Sequence, residues 1–208
     1  MSNTQEERAA KRRDDRRAQI IRAAKQVFAE QGYNNASISQ IIAQAKIARG
    51  TFYLYFDGKR KVFDSILSEA LAGLTERIVV IDLGDREATP RQQVAHNLQR
   101  VLTFLLDDRP LSQLLLTPGL TPDLESAQRL GAFYERLTQM IAASLDHGIR
   151  MGLVRSCDTE IVAAALLGAI RGVTRRLLHH DGDPDVERVI DEILTFGWRG
   201  VIVETAWE

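Results

Sequence analysis

Residues 37–56 read SISQIIAQAKIARGTFYLYF, and this stretch decides the fold. Ser37 and Gln40 have the spacing of a capping box, in which the serine caps a helix and the glutamine reaches back. Ile38, Ile41 and Ile42 then give a short helix one apolar face, ending near Ala45. Lys46-Ile47 is too short for anything but a tight turn. A second short helix is predicted over residues 48–56, with Phe52 and Phe56 four apart on the inward face. Two short helices joined by a tight turn present the second one proud of the surface, where it can enter a major groove.

Upstream, Ile20, Ile21, Ala24, Val27 and Phe28 form one stripe of a longer helix over residues 14–31. Asp14 and Asp15 suit its first turn, and Gly32 its end. Residues 1–13 carry Arg8, Lys11, Arg12 and Arg13 and read as a disordered basic arm. Downstream, Asp57-Gly58 breaks the chain. A fourth helix from Lys59 to about Ile81 follows, with Val62, Phe63, Ile66 and Leu67 on one face.

Charge divides the same way. Residues 1–61 hold thirteen Lys/Arg against six Asp/Glu, a net of +7, whereas residues 62–208 hold 14 against 22, a net of −8. A basic head on an acidic body fits a polyanion partner for the head. Within the predicted second short helix, Arg49 can fork onto a guanine edge or a phosphate. Tyr53 and Tyr55 offer hydroxyls to phosphate oxygens. Gly50 is unfavourable inside a helix by about 1 kcal/mol, and close approach to a DNA backbone is a reason to keep it. Lys59 and Arg60 open a helix whose free N–H groups favour an anion.

Taken together, Phe28-Ala-Glu-Gln-Gly-Tyr33, Ser37-Ile-Ser-Gln-Ile-Ile-Ala43 and Thr51-Phe-Tyr-Leu-Tyr-Phe56, followed by Lys59 and Val62-Phe63, resemble the DNA-binding domain of the tetracycline-repressor (TetR) family. The resemblance covers about residues 14–74. It implies that Ser37, Thr51, Tyr53, Tyr55 and Lys59 touch phosphates, and that Ala48, Arg49 and Gly50 lie where bases and backbone are approached. Two departures stand out. Lys46 occupies a turn position where the family commonly has glycine, so either the lysine accepts a strained backbone conformation or the turn differs. Ala48 stands where Ser or Thr is common and gives up a cap. Lys46 can restore by charge the contact that Ala48 loses.

The rest of the chain, residues 75–208, reads as a regulatory and dimerisation domain. A polar linker spans 82–89, followed by helices at about 90–107, 111–117, 123–151, 158–180 and 185–204, the last two capped by Asp158 and Asp185. The fold class is all-α, with about nine helices. The resemblance implies that helices four to seven enclose a small-molecule pocket and that the last two helices pair across a two-fold axis. Pocket candidates are Leu102, Phe104, Leu105, Leu115, Phe133, Tyr134, Leu137 and Met140, with His96, Asn97, His147 and Arg171 as polar candidates. Taken singly, each reads more readily as ordinary core or surface. For the dimer, Gly168 and Gly172 permit close helix approach, and Ile193, Phe196, Gly197 and Gly200 add surface on the last helix. An intrachain core is the alternative, but a reader of two-fold operators needs a two-fold protein.

Composition excludes several other classes. Hydrophobic residues make up 45% and charged residues 26%, ordinary for a soluble domain. The longest apolar run, residues 161–170, is half a membrane span. The polar N-terminus lacks a signal-peptide core, and the single cysteine, Cys157, suits a reducing compartment, so a cytoplasmic location is expected. No phosphate loop, nucleophile elbow or HExxH pair occurs, and His179-His180 are adjacent rather than four apart. No catalytic residue, metal or cofactor is therefore expected. The expected partners are double-stranded operator DNA, a second copy of the chain and a small-molecule effector, with no membrane. The sequence points to a sequence-specific transcriptional regulator, a repressor released from a palindromic operator by that effector. An enzyme and a purely architectural DNA binder are the competing classes; the second would not need the long apolar C-terminal part.

Overall fold

A computed structural model describes the backbone of residues 2–117, 124–179 and 185–201, with side-chain surroundings for 5–117, 124–179 and 185–197. These residues form nine helices and no strand: α1 (Ser2–Asn35), α2 (Ile38–Ala45), α3 (Arg49–Tyr53), α4 (Lys59–Glu76), α5 (Pro90–Asp107), α6 (Arg109–Leu116), α7 (Leu124–Arg150), α8 (Thr159–Leu178) and α9 (Val186–Val201).

The predicted α1 stripe is the centre of the head. Ile20, Ala24 and Phe28 are fully buried, with Ile21 and Val27 nearly so. Gly32 leaves the helical path at φ 75°, ψ 156°, a conformation that suits a residue without Cβ. The break swings Tyr33 back, so that Phe28, Tyr33 and Phe63 form a ring cluster with centroids 4.9–6.2 Å apart. Phe52 and Phe56 anchor α3 from the other side.

Three boundaries differ from the sequence reading. Residues 2–13 continue α1 as a helix rather than a disordered arm, with residues 5–13 exposed. They contain good helix formers, no Gly or Pro, and a Glu7/Lys11 pair at the favoured i,i+4 spacing. Secondly, α3 is regular only through Tyr53; residues 54–56 close it with N–H bonds back to Gly50, Thr51 and Phe52. Thirdly, α4 stops at Glu76 rather than near Ile81. The β-branched run after it is instead held by amide clamps from α5. Asn97 accepts from the Val79 N–H at 2.9 Å and donates to the Val79 carbonyl at 2.8 Å, and Gln93 does the same at Asp82, both at 2.8 Å. The Asn97 amide is thus engaged with backbone rather than a cavity.

In the body, Thr89 and Gln92 form a capping box at α5 that the sequence reading passed over, with Pro90 in the first turn. Asp158 and Asp185 accept from the N–H groups of Ile161 and Arg188, as expected of caps. The proposed start of α7 at Asp123 lies outside the described residues. One buried cluster runs from the head, through Leu67, Ala70 and Leu74 of α4, to Leu105, Leu111, Leu114 and Leu115 and then Phe133 and Leu137. A second joins α5 to α9 through Leu98, Leu102, Ile190 and Leu194. Where α7 turns back into α8, Gly148 is obligatory, because a Cβ there would lie 2.5 Å from Val154 Cγ2.

Candidate nucleic-acid interface and its control surfaces

The helix-turn-helix is locally determined. Ser37 accepts from the Gln40 N–H at 3.2 Å, while the Ser37 N–H donates to Gln40 Oε1 at 2.8 Å. At the far end, Lys46 takes φ 51°, ψ 49°, and it is the one non-glycine residue with positive φ among those described. Its N–H closes α2 onto Ala43 and Ile42. Of the two alternatives at Lys46, the strained backbone conformation is therefore the one present. Ala48 begins α3 with no side-chain cap, as its methyl group requires.

The surface this presents contains most of the expected contact residues. Lys46, Ala48, Arg49, Gly50 and Tyr53 are exposed, and Thr51 is half-buried. The Arg49 guanidinium lies 5.9 Å from the Tyr53 ring. A Cβ at Gly50 would meet nothing within 4 Å, so its own fold does not require the glycine. Tyr55 is half-buried and packs on the core. Leu54, overlooked in the sequence reading, is 76% exposed on the same surface. The clue was available: it is the apolar residue between two tyrosines on a helix whose inward positions were already filled by Phe52 and Phe56.

Two expected anion contacts have partners within the chain. Lys59 Nζ donates to the carbonyls of Tyr33, Asn34 and Ala36 at 2.6, 3.2 and 2.9 Å and sits 4.4 Å from the Tyr33 ring. The Lys59 ammonium thus helps to hold the turn that follows Gly32. Arg60 reaches Glu125 of α7 at 3.1 Å. Glu125 also takes Arg129 at 2.9 Å, and Arg129 pairs in turn with Asp64 of α4. Hydrogen bonds from Arg129 and then Arg60 hold the Glu125 carboxyl below its ordinary range. This network ties the start of α4, beside α3, to the body.

The proposed pocket residues separate into a cluster and outliers. Leu105, Leu115, Phe133 and Leu137 are buried together, with Phe104, Tyr134 and Met140 packed against them. Leu102 belongs instead to the α5–α9 cluster. Arg171 stacks on Tyr134, its guanidinium carbon 3.7 Å from the ring centroid, and its Nε is buried with no partner among the described residues. Burial pushes the Tyr134 phenol up, so it is neutral and donates to the Leu115 carbonyl. His96 is exposed and not part of this group. His147, in the last turn of α7, is not part of it either.

The dimer candidates also separate. A Cβ at Gly168 or Gly172 would meet nothing, and Ile161 of the same helix and Phe196 of α9 are 67% and 74% exposed. By contrast, Gly197 faces Leu166, 3.4 Å from where its Cβ would be, and Ile193 packs on the α5–α9 cluster. These two residues serve the intrachain core. Gly200 lies beyond the residues whose surroundings are described. Among the described residues, no helix is long and apolar enough to cross a membrane.

Residues 20–66 match the family described as "Bacterial regulatory proteins, tetR family". The fatty acid metabolism regulator protein of Bacillus subtilis is 26% identical over 184 residues, covering 88% of this chain and 94% of that one. Among solved structures, FadR from Bacillus subtilis in complex with stearoyl-CoA superposes with a TM-score of 0.71 at 24% identity, covering 88% of this chain and 98% of that one. NalD, the secondary repressor of the MexAB-OprM multidrug efflux pump in Pseudomonas aeruginosa, gives 0.70 at 23%, covering 92% and 99%.

Proposed function

We propose that this chain, whose residues 20–66 match the tetR family of bacterial regulatory proteins, is a sequence-specific transcriptional repressor that leaves a palindromic operator when a small molecule binds its body. The observation that carries the reading is the surface of α3. Arg49, Gly50, Tyr53 and Leu54 stand free of the core on a helix anchored from behind by Phe52 and Phe56. Arg49 suits a guanine edge or a phosphate, Leu54 a thymine methyl, and Gly50 a close backbone approach. Lys46 and the tyrosine hydroxyls serve phosphates.

The division at residue 74 is functional rather than a gap in packing, because one core crosses it. The effector is expected among Leu105, Leu115, Phe133, Tyr134, Leu137 and Met140, with Arg171 as the polar anchor. The structurally similar FadR holds stearoyl-CoA, which supports an effector with a long apolar part. The α4–α7 ion network is the natural path from that region to the head. Two copies are expected to meet through Gly168, Gly172, Ile161 and Phe196.

Selection of binding sites from a random duplex library tests the reading. A two-fold sequence should be enriched, with affinity falling steeply as salt increases. Arg49→Ala should relax one position of each half-site by about 1–3 kcal/mol. Uniformly weaker binding with unchanged preference would make Arg49 a phosphate contact, and no enrichment at all would overturn the proposal.

A further inference from the structure

A cleft of about 880 Å³ opens between the head and the body, sharing only Phe104 with the apolar cluster described above. Its head wall is Arg22 and Lys25 of α1, its body wall α5 from Gln99 to Asp107 and the start of α6, and its floor Arg77 beyond the end of α4. That volume is within the range of small-molecule sites.

The charge on the walls is unbalanced. Lys25 is paired with Asp108, which also caps α6 through the Leu111 N–H. Arg22, Arg77 and Arg100 have no carboxylate partner among the described residues. Arg77 and Arg100 are nevertheless held in place. Arg77 lies over the Phe104 ring at 4.2 Å and donates to the Gly73 carbonyl at 2.7 Å. Arg100 Nε donates to the Arg77 carbonyl at 3.0 Å, and its Nη2 to Asn97 at 2.5 Å. Three guanidiniums therefore face one remaining wall carboxylate, Asp107. Guanidinium is the side chain best matched to phosphate oxygens. Gln99 and Thr103 add neutral hydrogen-bonding groups to the same walls.

We propose that this cleft is a second ligand site, which takes a phosphorylated metabolite of about nucleotide size and couples its binding to the pose of the head. Such a ligand bridges Arg22 on α1 to Arg100 on α5, two elements on opposite sides of the boundary. It shifts operator affinity by the difference in its affinity for the two head poses. The coupling rests on the DNA-binding reading; the site itself does not.

Calorimetry on the full chain, with metal chelated, tests the site using ADP, inorganic pyrophosphate and adenosine. ADP should bind and adenosine should not. Pyrophosphate binding as well as ADP would show that the diphosphate alone is recognised; weaker pyrophosphate binding would show that the remaining walls contribute. Arg22→Gln removes an exposed side chain without disturbing a mapped bond, and Arg100→Gln removes a held one. Each should weaken ADP by about tenfold or more, the loss of one charge-assisted contact. Absence of binding at millimolar ADP, equal binding of adenosine, or undiminished ADP affinity in both variants would overturn the site. Saturating ADP should also change the affinity for the selected operator severalfold in the wild type and not in Arg22→Gln. ADP binding that leaves operator affinity unchanged would overturn the coupling, while a chain that selects no DNA would still report the site by calorimetry.

Discussion

The head and the body treat their apolar surface in opposite ways. Most of the largest fully buried side chains belong to the head, including Phe28, Phe52, Phe63, Ile20, Ile41, Ile66 and Val62. The head closes its apolar residues on themselves apart from Leu54, which stands 76% exposed on an otherwise polar reading surface. The body buries Leu102 and Leu114 just as completely, yet it leaves Ile161 and Phe196 in the open, along with two glycines of α8 whose added Cβ would meet nothing. These are the residues through which the proposed pairing of two copies would cover apolar surface. The difference teaches which changes act within one chain and which act between copies.

Phe52→Ala breaks the first half of that contrast. Truncating a fully buried phenylalanine costs about 3–5 kcal/mol, and Phe52 alone ties α3 to the core from within the helix. Operator binding should be lost at temperatures where far-ultraviolet circular dichroism still shows the body helices. Normal operator affinity in this variant would mean that α3 does not need its anchor.

Gly168→Leu addresses the second half. Within a single chain the new side chain meets open space, so the fold should survive and α8 should gain helix propensity. Sedimentation should nevertheless show a monomer where the wild type is a dimer. Operator affinity should fall toward the non-specific level, roughly a thousandfold or more. A wild type that sediments as a monomer at micromolar concentration and still binds a palindrome would break the comparison.

What could be read from the sequence follows the same boundary. In the head, period, caps and breakers all act within a few residues. The α1 stripe, the Ser37/Gln40 box and the Lys46 turn were therefore legible without tertiary information. The role of Lys59 was not, because its three carbonyl partners lie more than twenty residues upstream and a lysine beside a DNA-reading helix suggests phosphate. In the body, helix positions were legible but helix faces were not. Gly168 and Gly197 look alike in sequence, yet one faces outward and the other Leu166. Asn97 looked like a cavity residue, although its amide is matched to a backbone segment 18 positions away. The cleft was missed because its arginines come from three separate helices or their ends.

Lys59→Met gives a smaller effect that sharpens the account of the head. It keeps much of the apolar stem over Tyr33 and removes the ammonium from three carbonyls. Leaving such groups without a donor costs about 1–3 kcal/mol, so the melting temperature should fall. The salt dependence of DNA binding should keep its slope. A slope reduced by about one, with unchanged stability, would restore Lys59 to the phosphate interface.

The smallest expected effect is at Lys46, where strain and charge pull in different directions. A left-handed conformation is unfavourable for a residue with a Cβ by about 1 kcal/mol, and glycine removes that term. Glycine also loosens the unfolded chain, which cancels part of the gain. Lys46→Gly should therefore stabilise the head by less than about 1 kcal/mol, seen as a slightly higher melting temperature. Lys46→Ala keeps the Cβ at φ 51°, so it should show no such gain. Both variants lose the same ammonium from the exposed turn between α2 and α3. If that ammonium serves a phosphate, both should bind operator more weakly and flatten the salt slope by about one. The pair separates the two roles: stability should distinguish Gly from Ala, and DNA binding should not. A Gly variant less stable than the wild type would show that the turn is comfortable with lysine, and that the head is held there by something other than backbone conformation.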